Sequence, residues 1–126
     1  MSGNAEILNY ADVMRRLDDD EELFFELIID FFSSFSSQIN ELEQAINVKD
    51  YEKIFEISHT LKGSLKTLGA DKAVHEAVKL EKMGKEKSIT KDTDVVALLS
   101  NVVAEFSKVV CLKADEIGFE LSLSTL

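Results

Sequence analysis

Apolar residues along this chain recur every three or four positions, the spacing of one face of an α-helix. In residues 10–17 they are Tyr10, Val13, Met14 and Leu17, and Asn9 is placed to cap a short helix. The acidic run Asp18-Asp19-Asp20-Glu21-Glu22 follows. Carboxylates favour the positive end of a helix dipole, so the run predicts the start of a longer helix that reaches about Val48. Its main stripe is Phe24, Leu27, Ile28, Phe31, Phe35, Ile39, Leu42 and Ile46. A third helix is expected from the cap Asp50 to near Gly69. A fourth runs from Asp71 to Met83, with Gly84 as its C-cap. Residues 85–91 read as a polar loop, and Thr93 or Asp94 opens a fifth helix with Val95, Leu99, Val102, Phe106 and Val109 inward. Residues 118–126 alternate Phe119, Leu121 and Leu123 with polar residues, which suits a strand or an ordered tail equally.

Long amphipathic helices with short joints predict an all-α fold, an antiparallel up-down four-helix bundle with a short N-terminal cap helix. The length of 126 residues suits one domain, and the absence of proline, with only five glycines, sets an all-β sandwich aside. Fourteen Lys and Arg against 24 Asp and Glu give a formal charge of −10, which argues against nucleic acid or anionic lipid as partners. The single Cys111 leaves no internal disulfide and reads as a small core residue. With two histidines beside it, a closed zinc site is not expected, and no bound metal or cofactor is. The N-terminus lacks a secretory pattern, and the longest charge-free stretches, residues 31–40 and 95–104, are too short to span a bilayer. These features predict a cytoplasmic monomer, with Met1 opening a stand-alone chain.

The third helix carries the chemistry. With Leu61 at zero and about 100° per residue, Ile54, Ile57, Ser58, Leu65 and Leu68 fall within about 60° of it and form the buried face. His59 then lies about 160° round, toward water, with Phe55 one turn before it and Gly63 one turn after. Lys62 and Lys66 flank it. A glycine inside a helix costs about 1 kcal/mol against alanine. At residue 63 a side chain would lean back over His59, so its removal leaves one edge of the imidazole open to something large. The lysines favour an anion, and a neutral imidazole is a good nucleophile near pH 7. The combination predicts a phosphoryl group carried on a nitrogen of His59, and no general base is expected beside it.

The run Ser58-His59-Thr60-Leu61-Lys62-Gly63-Ser64-Leu65-Lys66-Thr67-Leu68-Gly69-Ala70 closely resembles the signature of histidine-containing phosphotransfer (HPt) domains, His-x-Leu-Lys-Gly followed by a Leu-Gly pair. Residues 17–23 are similar to that family's acidic entry to its long second helix, Asp50-Tyr51-Glu52 to its entry to the histidine helix, and Leu80-Glu81 to a Leu-Glu pair of the fourth. The resemblance covers about residues 6–112 of one HPt-like domain spanning 1–126, and residues 113–126 are a C-terminal extension without a counterpart. It implies a phosphorelay intermediate that exchanges a phosphoryl group with receiver-domain aspartates. His59 would be the acceptor, and Lys62, Gly63 and Lys66 would be the phosphoryl environment. The implied partners are response-regulator receivers and a hybrid sensor histidine kinase, with Mg²⁺ supplied by the receiver. Some members place a glutamine on the fourth helix to hold the histidine's surroundings, and here Glu81 stands at that place. The family docks receivers near the first helix and the early second helix, which makes Leu23, Leu27, Phe55 and Thr60 docking candidates.

Plainer readings compete at each position. A lone exposed histidine is ordinary, and only the glycine and lysine frame lifts His59 above that; His75 lacks the frame and reads as solvated. Phe25, Ile29 and Phe32 form a second apolar line, explained either by burial under residues 10–17 or by a docking patch. A helical adaptor that binds a signalling partner without chemistry is the alternative function. A kinase or phosphatase would need a nucleotide site, and no Gly-rich phosphate loop is present.

Overall fold

A computed structural model describes residues 6–89 and 94–121. Five helices appear in chain order: α1 (Tyr10–Arg16), α2 (Glu21–Asn47), α3 (Tyr51–Thr67), α4 (Asp71–Glu86) and α5 (Val95–Ile117). Four of the starts follow from side-chain caps. Asn9, Asp20, Asp50 and Asp94 each accept a hydrogen bond from the backbone N–H three residues on, satisfying a donor the helix itself leaves free. The fourth helix has Ala70 at its N-cap and no side-chain cap. Its free Lys72 N–H instead donates to the Glu6 carbonyl at 2.8 Å.

Helices α2 to α5 form the expected bundle, each packed on the next, with α2 against α5 completing it. The core is continuous, from Phe24, Phe25, Ile28 and Leu42 of α2 through Ile54, Leu61 and Leu65 of α3 and Leu80 of α4 to Leu99, Phe106 and Val110 of α5. Helix α1 closes one end. Its Val13 is fully buried, and the Tyr10 ring meets Phe24 edge-on at 5.7 Å. The Asn9 N–H donates to the Gly69 carbonyl at 2.8 Å, and the Arg16 guanidinium to the Lys66 carbonyl at 2.9 Å. Gly69 has φ of +72°, and a Cβ there would lie 2.4 Å from Val13 Cγ2, so both the turn and the seat of α1 require glycine.

Three expectations need correction. Gly84 is not a C-cap: α4 continues to Glu86, and the left-handed cap is Lys87, with φ of 53°. The expected loop at 85–91 therefore starts later, and residues 90 and 91, like the alternative opener Thr93, lie outside the described residues. The fifth helix runs to Ile117 and ends at a left-handed Gly118, the residue at which the expected tail begins. It is also long and apolar enough, by length and composition, to cross a bilayer, although its charge-free stretch, 95–104, ends at Glu105. In this fold Val95, Val96, Leu99, Val102, Val103, Phe106, Val110 and Ala114 spend that apolar character in the core, while Val109 is only half-buried.

The second apolar line of α2 is covered at Phe25 and partly at Phe32, with a contribution from an unexpected quarter, while Ile29 stays half-buried. Phe25 is fully buried, and Phe119, just past α5, stacks on it at 4.3 Å. Phe32 stacks on Phe106 at 6.3 Å. Up to Leu121 the tail is irregular rather than a strand, and residues 122–126 lie outside the described residues. Replacing Phe119 by alanine removes one face of this stack. The expected loss is about 1–3 kcal/mol in urea denaturation. An unchanged midpoint would mean that Phe25 is covered without Phe119.

Candidate functional site

His59 sits on the solvent side of α3 with 59% of its side chain exposed, as the helical wheel places it. Ser58, one residue before it, and Leu61, two residues after, are fully enclosed. Phe55, half-buried, lies parallel to the imidazole, with ring centroids 5.6 Å apart and planes 12° apart. One turn on, Gly63 is exposed, and a Cβ built there meets no atom within 4 Å. Its φ is not in the left-handed region either. Nothing inside the fold calls for glycine at 63. The opening beside His59 faces outward.

One partner comes from α4, at the position that the resemblance matched to a glutamine holding the histidine's surroundings. Glu81, on α4, presents Oε2 at 2.6 Å from His59 Nδ1. The same carboxylate accepts from Lys62 Nζ, at 3.0 Å to Oε1 and 2.9 Å to Oε2. A carboxylate thus stands beside His59 as a hydrogen-bond acceptor, which the expectation of no general base there did not address. Partial burial opposes ionisation of Glu81, but the hydrogen bonds from Lys62 and His59 and their charges outweigh it and hold its pKa below the usual value. An ionised carboxylate can only accept, so the ring proton is on Nδ1. In the neutral ring the lone pair is then on Nε2.

The other expected residues separate. Lys62 is 24% exposed and bound to Glu81, so it is not a free point charge. Lys66 is exposed and has no ion pair among the described residues; its carbonyl receives Arg16. Both arginines of the chain sit at the end of α1, but each is paired with Asp12. Thr60 and Leu23 are exposed and Leu27 is half-buried. His75 is exposed. Cys111 is half-buried rather than core; burial and the neighbouring Asp115 push its thiol pKa up, which makes it a poor nucleophile. No group of three or more metal-binding side chains exists among the described residues.

What Glu81 contributes depends on pH, with a definite sign. Its pKa is lower in the folded chain than in the unfolded one, so its stabilisation is complete above the ordinary carboxylate range. It is lost as pH falls through that range toward the folded value. Stability measured by urea denaturation should therefore fall less steeply on acidification in Glu81→Gln than in the native chain. Parallel pH profiles would contradict the paired carboxylate.

No curated protein and no solved structure gives a significant match to this chain. A family model, described as Hpt domain, matches residues 26–108. The match takes in α3 with His59 and Gly63, and α4 with Glu81. Hpt domains act in phosphotransfer in two-component signalling, as carriers rather than catalysts, and work with histidine kinases and response regulators. With most of its length matched and the helical bundle in place, the chain belongs to the Hpt domain family.

Proposed function

We propose that this protein is a cytoplasmic phosphorelay intermediate that takes a phosphoryl group on Nε2 of His59 from the aspartate of one receiver domain and gives it to another. The observation that carries the reading is the pairing of an exposed imidazole, tied through Nδ1 to Glu81, with open space at Gly63 one turn away. The lone pair of Nε2 attacks the phosphorus of an aspartyl phosphate. The P–O bond to the carboxyl breaks, and its electron pair leaves the aspartate as a carboxylate. The product ring keeps its Nδ1 proton and bears a positive charge, which the Glu81 carboxylate faces. In the return step an aspartate oxygen attacks the phosphorus, the P–N bond breaks, and its electrons restore the lone pair on Nε2. The proton on Nδ1 never has to leave, so the departing group is a neutral imidazole.

The chain's share of the work is positioning. Phe55 and Glu81 fix the ring plane and its tautomer, which removes rotational freedom from the nucleophile before the partner arrives. Lys62 holds Glu81, and Lys66 adds positive charge on the same flank. The Mg²⁺ needed to offset charge on the phosphoryl oxygens comes with the receiver. Leu23, Leu27 and Thr60 are the surface offered for docking, and the chain acts as a monomer.

Two substitutions test this. In His59→Gln, acid-labile, base-stable label from a phosphorylated receiver should vanish while the helical fold persists; label retained in that variant excludes His59. Gly63→Gln should reduce transfer at least about tenfold through lost access, while stability is unchanged or rises by up to about 1 kcal/mol, because the position is open helix. Normal transfer rates, or a fold that fails, would contradict the assigned role of Gly63.

A further inference from the structure

Gly84 is buried on the face of α4 that meets α3, three residues beyond Glu81. A Cβ built on it would stand 2.6 Å from the Phe55 N, 2.8 Å from the Tyr51 O and 2.9 Å from the Phe55 Cα. All three are backbone atoms of the first turns of α3, which no rotamer change can move aside. The contact is therefore a backbone-to-backbone approach, closer than any side chain on α4 allows. Phe55 is in turn one helical step before His59, and Glu81 is one step before Gly84. In two antiparallel helices these steps run toward each other, so the close approach lies immediately beside the Glu81–His59 bond.

We infer that Gly84 is a positioning residue for phosphotransfer: by letting α3 and α4 touch, it sets the spacing at which the Glu81 carboxylate reaches Nδ1 of His59. The inference rests on the function proposed above. The distances decide it. Ordinary contact for a Cβ begins at 3.4 Å, so alanine at 84 must separate the backbones locally by roughly 0.8 Å. The bond from His59 to Glu81 is 2.6 Å and loses its strength beyond about 3.2 Å. Both groups that grip Glu81, His59 and Lys62, belong to α3, so its contacts depend on how far apart the two helices lie. A separation of that size releases both grips together. The ring then loses the acceptor that keeps its proton on Nδ1, and Nε2 is no longer the uniform nucleophile.

The test uses the full chain and reads the ring directly. In native protein at neutral pH, imidazole ¹⁵N shifts of His59 should report one tautomer, protonated at Nδ1. In Gly84→Ala they should move to the averaged values of a free ring, as in Glu81→Gln. Transfer from a phosphorylated receiver should fall about 10-fold to 100-fold in either variant, and combining them should cost little more than Glu81→Gln alone. Native ring shifts in folded Gly84→Ala, or fully multiplicative losses in the double variant, overturn the inference. Glu81→Asp keeps the helix contact but shortens the reach by one methylene. It should give the same averaged shifts, so it tests the spacing even where Gly84→Ala does not fold, and a native tautomer there overturns the inference as well. An unlabelled native His59 would instead defeat the phosphotransfer reading, while the ring shifts still judge the spacing.

Discussion

The functional face depends on how closely two helices lie. Helices α3 and α4 form the most extensive contact in the bundle, and at Gly84 their backbones meet without an intervening side chain. A four-residue cluster follows from that approach. Phe55 sits under the imidazole, Glu81 reaches its Nδ1, and Lys62 closes on Glu81 from the next turn. Each member is ordinary alone. An exposed histidine on a lone helix would rotate freely and share its proton between both nitrogens. The neighbouring helix removes both freedoms.

The carboxylate in this cluster plays two electrostatic parts. Toward Lys62 it is half of an ion pair that is mostly shielded from water, so the pair keeps more of its strength than a surface bridge would. Toward His59 it is a fixed negative neighbour that favours positive charge on the ring. A glutamine at 81 would offer a donor as well as an acceptor and no charge, and so would neither hold the proton on Nδ1 nor steady a phosphorylated, cationic ring. The chain is acidic as a whole, at −10, so this local arrangement of signs, rather than the net charge, is what an incoming phosphoryl group meets.

Much of this was legible in the sequence, for reasons that differ by residue. Asn9, Asp50 and, as one of two openers, Asp94 announced helix starts, because capping is a local interaction between neighbours in the chain, and the acidic run 18–22 announced the start at Asp20 through the helix dipole. The exposure of His59 and the openness at Gly63 followed from helix geometry alone. Glu81 and Gly84 were not legible in the same way. Glu81 is 22 residues from the histidine, and whether it reaches depends on an interhelix distance that no periodicity records. Gly84 stood near the end of a helical pattern, where glycine ordinarily marks a cap, and its true reason lies on the opposite helix. The cover on Phe25 was hidden likewise, since its contribution comes from Phe119 at the far end of the chain.

The start of α4 has no side chain of its own to finish it. Its orphan N–H at Lys72 is satisfied by the Glu6 carbonyl, and Asn9 reaches both the Gly69 carbonyl and the Asp71 carboxylate. The seven residues of α1 are too few to persist as a helix by themselves. Each segment thus completes the other: the helix that carries Glu81 is sealed at its root by chain that precedes the bundle. Undocking of α1 would fray α4 from its first turn, which makes this junction a point of mechanical coupling between the N-terminal segment and the helix that tunes the histidine.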